Sequence, residues 1–172
     1  MKLCRAALAA ITVITTLAAA LILTASSALV GKQAYGFTVE DQFKKEWSWE
    51  TFKGKPVVIV LADRAGREYS EKWVQPLRSS LGAKVEYVAF ADVSSVPGLL
   101  KGFIRGKIRD SYQHPLLLDW EGDVFKYYEC RDGVANVVFI DKNNTVRYTA
   151  SGKGESAEVD VAVKEISRYL GN

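Results

Sequence analysis

Apolar residues recur along this chain with distinct spacings, and each spacing predicts a different element. Residues 57–61, VVIVL, are five consecutive β-formers without a polar interruption, the mark of a strand buried on both faces as in a parallel sheet. Trp73, Val74, Leu77 and Leu81 then recur at helical spacing, and Gly82 suits the helix end. Pro76 falls inside that pattern and predicts a kink or a break. Residues 85–90 form a second apolar strand. Pro97-Gly98 opens a helical stretch in which Leu100, Phe103, Ile104 and Ile108 share one face. Leu116 to Leu118 read as a short strand after His114-Pro115, residues 121–128 as a short helix, and residues 137–140 as a fourth apolar strand. Asn143-Asn144 turns the chain into residues 145–149, whose alternation predicts an edge strand. The last helix spans about residues 155–170 and turns Val159, Ala162, Val163, Ile166 and Leu170 inward. Ahead of all these, residues 31–55 read as extended pieces and a turn, anchored by Phe37, Val39, Phe43, Trp47, Trp49 and Phe52.

The resulting order is β-α-β-α-β-α-β-β-α. Strands separated by helices imply crossover connections and a mainly parallel sheet, while the final two strands, joined by a tight turn, must be antiparallel. The predicted class is α/β: a central, mixed, mostly parallel sheet flanked by helices, in the thioredoxin-like layout. Residues 97–118 add a helix and a strand of the redoxin type.

The beginning of the chain changes the picture of where this domain works. Lys2 and Arg5 are the only charges before Lys32, the run Ala7 to Thr24 is apolar, and Ser26-Ser27-Ala28 follow it. A positive start, an apolar centre and small residues at the exit describe a secretory signal. Cleavage after Ala28 is expected, leaving a domain of residues 29–172. An uncleaved anchor is the alternative, because about 20 apolar residues can span a bilayer. In both cases the positive end stays inside and the domain lies outside the cytoplasm, periplasmic or secreted in the first case and held at the inner membrane by residues 7–24 in the second. Cys4 precedes the apolar run instead of ending it, unlike a lipoprotein cysteine.

Charge and cysteine content narrow the function classes. The whole chain carries a formal +3, but beyond residue 28 it holds 21 basic and 20 acidic residues. Nothing in this balance calls for a nucleic-acid partner. Beyond residue 28 the only cysteine is Cys130, which cannot form an internal disulfide.

Several stretches resemble a known family. GFTVEDQ followed by FKGKPVVIVLADRAG is similar to the opening of redoxin and thiol-reductase domains, HPLLLDWEGDVFKYY to a peroxiredoxin-like segment, and NVVFIDKNNTVRY to the strand–turn–strand that ends such domains. In order and spacing, over about residues 34–170, they most resemble the YtfJ-type family of periplasmic thioredoxin-like proteins, including Ala65-Gly66-Arg67 and Glu71-Lys72 after the first core strand. The resemblance implies the fold and carries no established activity with it.

The resemblance also defines an absence. A thiol oxidoreductase of this fold places C-x-x-C where the first core strand turns into its helix, since a helix N-terminus stabilises a thiolate. Gly66-Arg67-Glu68-Tyr69 occupy that place here. The cis-proline expected before the late strand is Ala135, so a trans peptide is expected there. With both hallmarks gone, the leading expectation is a non-catalytic binding module, without cofactor, that takes an unknown protein or a small anionic ligand. The alternative is an atypical redoxin using Cys130, whose thiol Arg131 would activate. The plainer reading of Cys130 is a small hydrophobe.

The candidate ligand corner is Asp63, Arg64, Gly66 and Arg67, with Tyr69 and Asn136 alongside. It lies at the carboxyl end of a parallel strand, where open α/β sheets bind ligands, and a helix start with two arginines suits an anion. The plainer reading is that Asp63 caps the helix and the arginines are solvated. His114 is the single histidine and reads as a turn residue, and no cluster of metal ligands appears. Lys101, Arg105, Lys107 and Arg109 form a basic helix face, either solvated or facing a partner or anionic lipid. Trp47, Trp49, Trp73 and Trp120 read as packing residues.

Overall fold

Side chains alternate across a strand, so a continuous apolar run feeds two cores at once. The computed structural model, which describes residues 28–171, shows this for β3 (Val57–Ala62). Val57, Ile59 and Leu61 enter one apolar cluster and Val58 and Val60 the other. The segment before Ala28, with Cys4 and the run Ala7 to Thr24, lies outside the described residues. Among the described residues no helix is long and apolar enough to cross a membrane.

The strands β4 (Glu86–Asp92), β5 (Leu117–Asp119), β6 (Ala135–Ile140) and β7 (Val146–Gly152) complete a five-stranded sheet of order β5-β4-β3-β6-β7. Strand β4 is parallel to β3 and β5, and β6 is antiparallel to β3 and β7. Strand β7 is the predicted edge. A separate antiparallel hairpin, β1 (Thr38–Glu40) and β2 (Glu46–Ser48), precedes the sheet. The helices are α1 (Arg67–Leu81), α2 (Lys101–Ser111), α3 (Asp123–Tyr127) and α4 (Ser156–Leu170).

One sheet face is covered by Phe37, Trp49 and Phe52 from the hairpin region, by Val124, Phe125 and Tyr128 at α3, and by Leu29. The other is covered by Trp73, Leu77 and Leu81 of α1 and by Val159, Ala162 and Ile166 of α4. Helix α1 does not break at Pro76: it is one helix of 15 residues. Buried Trp73 precedes the proline and buried Leu77 and Leu81 follow it, so burial of both halves outweighs the lost N–H.

Two apolar expectations are corrected. Phe43 is not an anchor. It sits exposed at the hairpin tip, where Asp41 Oδ1 accepts from the N–H of Phe43 and of Lys45 and Asp41 Oδ2 from Trp47 Nε1. Nor does the apolar face of α2 reach either core. No residue of α2 is buried, Phe103 is 62 % exposed, and Leu99 just ahead of the helix is fully exposed.

Candidate functional site

The turn from β3 into α1 is built around one carboxylate. Asp63 Oδ1 accepts from the Gly66 N–H at 2.5 Å, and Asp63 Oδ2 accepts from the Gly133 N–H at 3.0 Å. Asp63 is therefore not the helix cap, a position held by Gly66 without a side-chain cap bond. Instead it ties the start of α1 to the loop before β6.

That tie brings the backbone of Val134 onto Gly66. A Cβ on Gly66 would lie 2.5 Å from the Val134 carbonyl carbon and 2.8 Å from its nitrogen, and nearer still to its oxygen. Gly66 has an ordinary helical φ of −78°, so glycine is needed here for space and not for backbone conformation. None of the peptide bonds among the described residues is cis, and the bond before Ala135 is trans as expected. The space beside position 66 is filled by main chain.

The Asn136 side chain is engaged by its own chain. It is 3 % exposed and holds the same loop from below. Its Oδ1 accepts from the Arg131 N–H at 2.8 Å and from the Ser151 hydroxyl at 2.6 Å, and its Nδ2 donates to the Arg131 carbonyl at 3.0 Å. Arg64 and Arg67 are exposed, and no ion pair engages either of them among the described residues. Tyr69 is half-buried, with Lys72 Nζ 5.3 Å and Lys153 Nζ 5.7 Å from its ring centre. Lys72 and Lys153 add to the cationic side of this corner. Lys153 could not be placed here from the sequence, because it follows β7 and lies far along the chain from the β3–α1 turn.

Cys130 lies just past α3, its N–H bonded to the Phe125 carbonyl, and packs against the apolar cluster. Burial pushes its thiol up to about 12, and the carboxylates of Asp92, Asp119 and Asp132 push the same way. Neighbouring Arg131 does not reverse this, so the environment is the opposite of one that activates a nucleophilic cysteine. A thiol reagent titrated against the folded domain is expected to show no reaction step near the ordinary pKa of 9.0, with reactivity returning on unfolding. The protonated thiol favours the folded state, so this contribution is fully present below pH 9 and is lost as pH rises toward 12. A reactive thiolate at neutral pH in the folded protein would contradict this placement. Among the described residues, no group of three or more His, Cys, Asp or Glu side chains is arranged to hold a metal.

Sheet order, helix placement and corner together define a thioredoxin-like α/β fold. Among solved structures the chain is similar to the exposed lipoprotein thioredoxin Etrx1 of Streptococcus pneumoniae, with 17 % identity, a TM-score of 0.60, and coverage of 76 % of this chain and 99 % of that one. It is similar to a thioredoxin-family thiol:disulfide interchange protein of Chlorobium tepidum, with 17 % identity, a TM-score of 0.56, and coverage of 82 % and 97 %. It is likewise similar to the peroxidoxin BcpB of Mycobacterium tuberculosis, with 17 % identity, a TM-score of 0.57, and coverage of 81 % and 96 %. At these identities the likeness is one of fold. No protein-family profile and no curated protein sequence matches the chain.

Proposed function

We propose that this is an exported thioredoxin-fold protein of the YtfJ type that performs no thiol–disulfide chemistry. It acts as a binding module, with the Arg64–Tyr69 corner as its contact surface for a protein or small anionic ligand. The observation that carries this reading is the main chain of Val134 resting on Gly66, where a catalytic side chain would have to stand. Export is supported by Lys2, Arg5, the apolar run Ala7 to Thr24 and the small residues before Leu29. The YtfJ assignment rests on the order and spacing of the resembling segments. The preference for an anion rests on Arg64, Arg67, Lys72 and Lys153. The competing reading, a redoxin that uses Cys130, is opposed by the burial of that thiol.

Residues 29–172 should reduce neither insulin disulfides nor peroxide above the uncatalysed rate. In the same preparation, inorganic phosphate or an acidic peptide should shift the amide resonances of residues 64–69. Turnover that Cys130→Ser abolishes would establish the redoxin reading instead. An unmoved corner would remove the anion assignment.

A further inference from the structure

Helix α2, which reaches neither core, is divided by burial into two sides. Lys101, Ile104, Arg105 and Ile108 recur at helical spacing and are half-buried. The two cations fasten this side to the body of the domain. Arg105 reaches Glu40 Oε2 at 2.7 Å and donates to the Asp41 carbonyl at 3.1 Å, and Lys101 reaches Glu121 at 3.3 Å. Leu99, Gly102, Phe103 and Lys107 lie on the other side and are exposed. The basic face expected from the sequence is therefore split: Lys101 and Arg105 act as tethers, and Lys107 and Arg109 stay outside.

The outer side joins apolar and cationic groups. Pro97, Gly98, Leu99 and Leu100 form an uncharged, exposed turn that leads into the helix. One turn further on stands Phe103, with Lys107 Nζ 5.6 Å from its ring centre. A Cβ at Gly102 or Gly106 would meet nothing within 4 Å, so no neighbouring segment closes over the helix. At its far end, Gln42 Nε2 donates to the Tyr112 carbonyl at 3.1 Å and ties the hairpin tip to α2, adding exposed Phe43, Lys44 and Lys45. Asp110 is the only acid on α2, and it meets its chain neighbour Arg109 at 3.6 Å. Lys44, Lys45 and Lys107 enter no ion pair among the described residues.

We infer that this face docks on an anionic lipid bilayer, with Leu99, Leu100 and Phe103 entering the headgroup–acyl boundary and Lys44, Lys45, Lys107 and Arg109 at the headgroups. Charge complementarity selects the negative surface, and the apolar tip matches the hydrocarbon beneath it. Lysines beside the tip hold their stems along apolar surface and their ammonium groups in the polar layer. The tip also stands open, with no groove beside it. A fluid bilayer covers such a shape, whereas a protein would need a pocket of its own to do so. Burial of three side chains gives a reversible attachment, and the cations make it selective for negative lipid. This inference rests on α2 and the hairpin tip and is independent of the reading of the Arg64–Tyr69 corner.

The test uses residues 29–172, which carry both apolar cores and lack the run Ala7 to Thr24, so that run cannot mediate attachment. The protein is sedimented with vesicles of equal parts phosphatidylglycerol and phosphatidylcholine, and with vesicles of phosphatidylcholine alone. Binding to the first and little to the second is expected. Leu99→Ser combined with Phe103→Ser should weaken binding about tenfold, and Lys107→Glu with Arg109→Glu by a similar factor. All four positions are exposed, and thermal unfolding checks that the variants are folded. No binding to the anionic vesicles, or equal binding to both kinds, overturns the inference. Undiminished binding in the Leu99 and Phe103 variant would assign attachment to cations elsewhere, such as those of the Arg64–Tyr69 corner, and overturn it too. A dimer that forms without lipid and is dispersed by the same variant, with no vesicle binding, would give this face to a second copy of the chain instead.

Discussion

Gly66→Ala should cost the domain about 3 kcal/mol, the upper range for forcing extra volume into a filled site. The obstacle is main chain, so no side-chain rotation relieves it. Val134 is held on both sides: Asp63 accepts from the Gly133 N–H, and Asn136 bonds both the N–H and the carbonyl of Arg131. The double substitution Gly66→Cys with Tyr69→Cys should carry the same penalty and yield no disulfide reductase. Urea unfolding of the alanine variant measures the loss directly, read from a lowered midpoint at unchanged slope. A midpoint within about 0.5 kcal/mol of the wild type would mean that the 131–135 loop yields freely, and the argument against a catalytic corner would fall with it.

The second large effect is expected at Asn136. Asn136→Leu removes an acceptor shared by the Arg131 N–H and the Ser151 hydroxyl, and a donor to the Arg131 carbonyl. Each buried partner left unpaired costs about 1–3 kcal/mol, so a total near 3 kcal/mol is expected after relaxation. Asn136→Asp should retain the acceptor role, lose the donor and fall between leucine and wild type. The Arg131 amide should exchange with solvent much faster in the leucine variant, which separates release of the loop from general loosening. Leucine at 136 with wild-type stability and an equally protected Arg131 amide would show that the staple is dispensable.

The sheet was readable in the sequence where a strand is buried on both faces, because a short β-branched run such as VVIVL, entered through Gly54-Lys55-Pro56, favours a strand over a helix. The closing hairpin and α4 were readable for similar local reasons: an Asn-Asn turn, and a 3.6-residue apolar repeat that meets a real core. Where a pattern needs a partner to give it meaning, the sequence misled. Leu100, Phe103, Ile104 and Ile108 share a face, yet α2 lies outside both cores, and periodicity alone cannot tell a face that finds a core from one that does not. Phe43 looked like an anchor because the Asp41 turn that lifts it into solvent is made by side-chain bonds with no apolar signature. At the corner, it is plain from the sequence that residues 66–69 hold no cysteine and that position 135 is alanine. The contact that closes it joins residues 66 and 134, and only the folded chain brings those together. Asn136 was read as a member of the ligand corner, and its role as a staple depends on Arg131 and Ser151, one on a loop and one on the next strand.

The contact between Gly66 and Val134 also bears on the history of such a chain. With the Val134 carbonyl in place, position 66 accepts only glycine. A side chain at 66 would in turn require the 133–135 backbone to lie elsewhere. Each state is self-consistent, and a single substitution from either leads to a less stable intermediate of the kind selection removes. Position 66 and the opposite loop thus form a ratchet: once glycine and the close approach of Val134 are both in place, neither is reversed alone without loss of stability, and a larger residue at 66 can enter only together with a rearrangement of residues 133–135.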